Sequence, residues 1–213
     1  MAKIKPFRGI RPPKDIVEEV ACLPYDVMNT EEAREMAKGK ERSLLHITRA
    51  EIDLPEGTDV HSQEVYDRSR ENFRKFQEKG WLKQEDKPKF YIYAQTMNNK
   101  TQYGIVGAAA VDDYLNGIIK KHELTRPDKE EDRMKIIRVN NADLEPVFFT
   151  FPAVSEIDEV MNQVVNSKDP EYDFVADDGF GHHFWVIDDD ATNEKIEKLF
   201  AEKVPYTYVA DRK

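Results

Sequence analysis

Phe90-Tyr91-Ile92-Tyr93-Ala94-Gln95-Thr96, followed by Asn98-Asn99 and a second run over residues 101–111, decides how this chain is read. The first run is rich in aromatic and β-branched residues and predicts a strand. The Asn-Asn pair predicts the turn, and 101–111 predicts the returning strand of a β-hairpin. Gly104, Gly107 and Ala108 to Ala110 keep the second strand slim, so a helix, another strand or a ligand must pack closely on it. Toward the C-terminus the hairpin runs through Asp112-Asp113-Tyr114 into a fourteen-residue charged stretch, Lys120 to Arg133. A helix is expected from Pro127 to about Asn141, with Met134 and Ile137 facing the core. Residues 147–151 predict a buried strand. Ser155 is expected to cap a helix that buries Ile157, Val160, Met161, Val164 and Val165. Residues 172–176 and 182–187 predict a second hairpin around Asp178-Gly179. There His182 and His183 point to opposite faces and cannot chelate one metal together. A last helix over 191–203 and a strand over 205–210 complete this half. That last strand is expected either to stay paired or to leave an exposed edge.

Toward the N-terminus, Val65, Tyr66, Ser69, Phe73 and Phe76 recur at three- and four-residue spacing and predict a helix over about 59–79, closed by Gly80. The loop 51–57 precedes it. Residues 44–47 predict a strand with His46 inside it as a satisfied core residue. Asn29 caps a helix, with Glu32 at its third position and Gly39 at its end. Pro24-Tyr25-Asp26 predicts a rigid turn that presents a phenol and a carboxylate. A short helical piece over 15–21 and a stiff basic arm, Lys5 to Pro13, begin the chain. The pattern predicts one domain over 1–213, of mixed α/β (α+β) class, with hairpins and a mixed sheet flanked by helices.

Hydrophobic residues make up 39% of the 213, enough for a real core. The formal net charge of −10 argues against general affinity for nucleic acid or anionic membrane, which need a basic face. Cys22 is the single cysteine, so there is neither a disulfide framework nor a thiolate metal cluster. With no signal peptide and no apolar run of membrane-spanning length, a cytoplasmic protein is expected.

The charged stretch is the candidate site. Thr125 can cap the helix that starts near Pro127, with Asp128 three residues on. Exposed amides at such a start bind anions, and Arg126 and Lys129 strengthen the positive field. His122 and Glu123 just before it would supply an acid/base group. The competing reading is a solvated, salt-bridged helix start. The chain holds no Walker loop, dinucleotide-binding glycine pattern, nucleophile elbow or HExxH.

Pro6-Phe7-Arg8-Gly9, Leu23-Pro24-Tyr25-Asp26-Val27, Glu51-Ile52-Asp53-Leu54-Pro55, Val111-Asp112-Asp113-Tyr114, Asp177-Asp178-Gly179 with His182 and Trp185, and Tyr208-Val209-Ala210-Asp211 carry a resemblance, together with the charged stretch. Through nearly its whole length the chain resembles the N-terminal part of the domain-of-unknown-function 1015 family. More remotely it is similar to the partition-protein-B and sulfiredoxin-like superfamily, which includes nucleotide-dependent kinases of free serine. The family continues its closing motif with Gly-His-His-Arg, whereas here Asp211 is followed by Arg212-Lys213 and the chain stops. The resemblance therefore implies an N-terminal part that is inactive alone, with the remainder as a possible separate chain.

That resemblance implies phosphotransfer from ATP or ADP, with Mg²⁺ arriving on the nucleotide, to a small hydroxylated substrate such as free L-serine. Glu123 would take the hydroxyl proton and His122 would orient it or touch phosphate. Thr125, Arg126, Lys129 and Arg133 would bind phosphate. Arg8, Tyr25, Asp26 and Asp211 are expected within reach of the same cleft. No protein-bound metal, nucleic acid or membrane partner is expected. Two other readings stay open: a module that binds a nucleotide or phosphometabolite without turnover, and a purely structural half.

Overall fold

The computed structural model of the chain describes residues 1–121 and 127–210. In chain order the strands are β1 (Ile4–Lys5), β2 (Ile10–Arg11), β3 (Lys83–Gln84), β4 (Tyr91–Met97), β5 (Lys100–Val106), β6 (Ala108–Ala109), β7 (Ile119–Lys120), β8 (Phe149–Thr150), β9 (Tyr172–Val175), β10 (Gly181–Val186) and β11 (Thr207–Val209). The α-helices are α1 (Val17–Val20), α2 (Thr30–Ala37), α3 (Leu45–Thr48), α4 (Gln63–Glu78), α5 (Val111–Leu115), α6 (Pro127–Asn140), α7 (Ser155–Ser167) and α8 (Asp190–Lys203). This is a mixed α+β fold of helices and small sheets. The described residues form two compact units, one of residues 1–10, 84–121 and 148–210, the other of 11–83 and 127–147.

The first unit is built on the antiparallel sheet β5-β4-β10-β9. Asn98 and Asn99 both have positive φ, 51° and 59°, the backbone that a tight hairpin turn requires and that Asn tolerates. Phe90, Ile92, Ala94, Trp185 and Ile187 pack with Ile157, Val160, Ile196, Phe200 and Val204 of α7, α8 and its end. On the other face His182 lies against the rings of Tyr93 and Phe174 and shares a 2.6 Å hydrogen bond with Tyr93 Oη. His183 turns away to Asp173, 2.9 Å distant. A side chain at Gly107 would put its Cβ 2.5 Å from the Phe90 ring, so a core ring takes up the space at that glycine. The alanines beyond it pair as β6 with β1.

A second sheet in this unit has the order β7-β11-β8. Its central strand is the last strand of the chain, parallel to β7 and antiparallel to β8, so β11 is no exposed edge. The strand expected over 147–151 shrinks to β8 at the edge, and Val147 and Phe148 are exposed rather than buried. Ser155 opens α7 from inside, after Val154 at the cap position, and no side chain caps that helix.

The second unit is helical. At α2, Asn29 Oδ1 accepts from the Glu32 amide at 2.9 Å, and the Glu32 carboxylate accepts from the Asn29 amide at 2.8 Å, a complete capping box. The strand expected over 44–47 is instead the helix α3. An apolar run of four cannot distinguish the two by periodicity. Side chains of α4 take up its carbonyls: Ser69 Oγ donates to Ile47 O and Asn72 Nδ2 to His46 O. Along α4 the buried stripe is Val65, Tyr66, Ser69, Asn72, Phe73 and Phe76.

Helix α6 lies on α4 with a face the sequence did not suggest. Met134 and Ile137 are 45% and 41% exposed, while Asp132, Ile136 and Asn140 are buried. The reason is polar: Tyr66 Oη donates to Asp132 at 2.8 Å, and Asn140 Nδ2 donates to Ser69 Oγ at 3.0 Å. Buried hydroxyls need partners, and these bonds fix the rotation of α6. Among the described residues no helix is long and apolar enough to cross a membrane.

Candidate functional site

Five of the expected site residues, His122, Glu123, Thr125, Arg126 and Asp211, lie outside the described residues. The others fall in both units. In the second unit, Pro24 leads into a one-turn 3₁₀ segment, Tyr25–Val27, which holds the Tyr25 ring half-buried. The Arg133 guanidinium carbon sits 3.7 Å from the centroid of that ring. Stacking of this kind suits the flat, weakly hydrated guanidinium. Lys129 is one turn earlier on α6 and exposed. Asp26 is exposed beside Tyr25.

Arg133 is fixed from its other side by Asp132. Asp132 Oδ2 accepts from Arg133 Nη2 at 2.5 Å and from Nε at 3.1 Å. Asp132 Oδ1 accepts from Tyr66 Oη at 2.8 Å and lies 3.1 Å from His61 Nδ1. Burial alone would raise the Asp132 carboxyl, but the bonds from Arg133, Tyr66 and His61 outweigh it and hold it below the usual carboxylate range. Asp132 is therefore ionised at neutral pH. Burial and the Asp132 acceptor push the Tyr66 phenol upward, so Tyr66 stays a donor. Glu145 closes the cluster half-buried. Burial raises its carboxyl, against the lowering effect of Arg133 and of a hydrogen bond from the Tyr25 backbone.

Arg133 Nη1 has no hydrogen-bond partner among the described residues. Among the described residues the guanidinium is thus held by one carboxylate and one ring, and its planar fork is of the kind that suits an anion with several oxygens. His61, Tyr66 and Asp132 were not expected. Tyr66 falls in the buried stripe expected on that helix, and a buried tyrosine hydroxyl demands an acceptor, a signal that points to a buried acceptor elsewhere in the chain.

In the first unit, β7 and β11 run parallel and side by side, with Lys120 opposite Tyr208. Their C-terminal ends therefore emerge together. Lys121, the residue before His122, holds its ammonium 4.1 Å from the Tyr114 ring centroid. Ala210, the residue before Asp211, donates its amide to Phe148 O at 2.9 Å. Asp113 is buried, and its carboxylate accepts the Lys3 amide at 2.6 Å, so it braces the chain start. Arg8 is exposed and donates Nε to Glu85 O at 2.8 Å. Its neighbour Gly9 is buried and donates its amide to Tyr91 Oη at 3.0 Å, and a Cβ there would lie 2.7 Å from that oxygen. Gly9 thus lets the arm's backbone approach a tyrosine closely.

A second polar cluster in the helical unit serves structure. His46 Nδ1 is 2.8 Å from Asp53 Oδ1, and His46 Nε2 is 3.2 Å from Lys40 O. Asn72 donates to Asp53 Oδ2 at 2.7 Å. Open clefts of about 380 and 300 Å³ flank this pair, one lined also by Arg34 and Lys38, the other by Arg68 and Lys75. Both ring nitrogens face acceptors, so His46 acts as a clamp. Cys22 is inert: burial pushes its thiol up to about 12.

The described residues define a mixed α+β protein with an anchored arginine in its helical unit and two parallel strand ends in its sheet unit. The chain belongs to a family of proteins of unknown function (DUF1015), whose model matches residues 4–211. No curated protein matches the chain. No solved structure matches it either.

Proposed function

We propose that this chain carries the phosphate-binding part of an enzyme that transfers a phosphoryl group from ATP or ADP, with Mg²⁺, to the hydroxyl of a small metabolite, free L-serine being the candidate acceptor. The observation that carries the reading is Arg133, stacked on Tyr25 and locked by buried Asp132. Phosphoryl transfer relies on positioning and charge neutralisation, and an arginine fixed before the ligand arrives supplies both. Glu123 as proton acceptor and serine as acceptor rest on the resemblance to free serine kinases.

The test is calorimetric titration of the chain with ADP and Mg²⁺. Micromolar to millimolar binding, weakened about tenfold or more by Arg133→Ala, is expected for loss of a charge-assisted contact. Binding that Arg133→Ala leaves unchanged would remove this site. In a family protein with measurable serine phosphorylation, Glu123→Gln should cut kcat by about 10²- to 10⁴-fold and leave nucleotide affinity nearly intact.

A further inference from the structure

We propose that the cleft between α4 and the His46–Asp53 pair binds a small organic monocarboxylate, whose carboxylate is held by Lys75 and Arg68. The proposal stands apart from the Arg133 site and does not rest on the nucleotide reading.

The cleft has a volume of about 300 Å³. One wall is α4, which contributes Arg68, Asn72 and Lys75 at i, i+4 and i+7, and therefore on one face. Asn72 is buried, and its Nδ2 donates to His46 O at 2.6 Å and to Asp53 Oδ2 at 2.7 Å. It ties the helix to the facing wall, where His46 of α3 and Asp53 of the 3₁₀ turn Ala50–Asp53 lie. Arg68 and Lys75 stand on either side of Asn72, about 10 Å apart along the helix axis, a span that two long side chains can close around one carboxylate. Phe76 also lines the cleft and offers an apolar surface to a short carbon chain.

The charges of the lining decide which ligand fits. Burial would raise the Asp53 carboxyl, but the bonds from His46 and Asn72 outweigh it, so Asp53 is ionised. An ionised carboxylate and the Lys40 carbonyl only accept. Both His46 nitrogens, 2.8 and 3.2 Å from these oxygens, therefore donate, and the ring is an imidazolium. The hydrogen bond to Asp53 raises His46 in keeping with this. His46 and Asp53 cancel. Glu41 lies 3.7 Å from Lys79, and Arg68 lies 3.7 Å from Glu71, so those charges cancel as well. Lys75 makes no ion pair among the described residues and is left over. Counting the lining alone gives the same result: His46, Arg68 and Lys75 stand against Glu41 and Asp53, one positive charge in excess. The contact of Arg68 with Glu71 is too long for a hydrogen bond, so among the described residues the guanidinium keeps its donors for a ligand. One excess charge matches a monocarboxylate, and a dianion would overcompensate it.

The experiment titrates the whole chain with lactate at fixed ionic strength and about pH 6, where the imidazolium is populated, and follows the Asn72 side-chain amide and the His46 imidazole by NMR. Saturable shifts of both groups at millimolar lactate are expected. Lys75→Gln changes an exposed side chain and should weaken lactate binding about three- to tenfold. Lys38→Gln, in the neighbouring cleft, should leave it unchanged. Sulfate, a dianion without a carbon chain, should bind more weakly than lactate. Absence of saturable shifts, equal weakening by the two lysine substitutions, or tighter binding of sulfate overturns the proposal. Arg133→Ala should leave lactate binding unchanged, so this titration and the ADP titration fail independently.

Discussion

Arg133 and Tyr25 are 108 positions apart in the chain, yet the guanidinium carbon lies 3.7 Å from the ring centroid. Asp132 holds the same guanidinium by two of its nitrogens. An unrestrained arginine gives up about 2 kcal/mol of rotamer entropy when a ligand fixes it. Here most of that loss is incurred on folding, so under the proposed function a phosphate would meet a guanidinium already held in place.

This arrangement distinguishes Arg133→Lys from Tyr25→Leu. Lysine keeps the charge but loses the fork and the flat stack. ADP affinity should fall about tenfold, corresponding to about 1.4 kcal/mol. Tyr25→Leu removes the stack alone, worth about 0.5–2 kcal/mol, and should cost about 2- to 30-fold. Calorimetry on both variants checks the order.

Asp132→Asn should destabilise the protein by about 3 kcal/mol, because Arg133 is then left half-buried without its counter-charge. Tyr66→Phe should cost about 1 kcal/mol, the net worth of one hydrogen bond. Urea unfolding at neutral pH measures both. The Asp132 carboxyl is depressed in the folded chain, so its contribution is present above the ordinary carboxylate range and is lost as pH falls through its folded value. The gap between the unsubstituted protein and Asp132→Asn should therefore shrink in acid.

The His46–Asp53 clamp has a window bounded on both sides. The hydrogen bond to Asp53 raises His46, so its stabilising contribution is full below about pH 6.5 and fades as pH rises through the folded value. Burial would raise Asp53, but His46 and Asn72 outweigh it, so its contribution is lost as pH falls below about 4. The destabilisation caused by His46→Gln, read from urea midpoints, should be largest between about pH 4 and 6.5 and smaller at pH 9. A flat difference across that range would show that the imidazole stays neutral in the clamp.

The sheet unit was legible because its signals are local. Asn98-Asn99 fixes a turn by backbone chemistry, and the runs around it are long enough to declare strands. The capping box at Asn29 and the stripe on α4 were equally local. What escaped the sequence depended on partners far along the chain. Four residues at 45–48 became helix because α4 takes their carbonyls. Met134 and Ile137 lost the core to Asp132 and Asn140 because Tyr66 and Ser69 needed partners. The same long-range pairing hid the site. Arg133 and Tyr25 were named, but Asp132 and His61, which give Arg133 its setting, looked like ordinary members of polar runs.

Gly107 and Gly104 provide a packing test in the hairpin. Gly107→Ala drives a methyl to 2.5 Å from the Phe90 ring and should cost about 1–3 kcal/mol. Gly104→Ala meets only the Tyr93 carbonyl at 3.9 Å and should be near neutral. Thermal melts of the two variants side by side give the comparison.

The most direct measurement of the central claim is a crystal structure of the chain with ADP and Mg²⁺. The account predicts a phosphate oxygen within hydrogen-bond distance of Arg133, with the guanidinium still on Tyr25 and Asp132. A nucleotide bound elsewhere in the chain, with Arg133 touching none of it, would contradict the account.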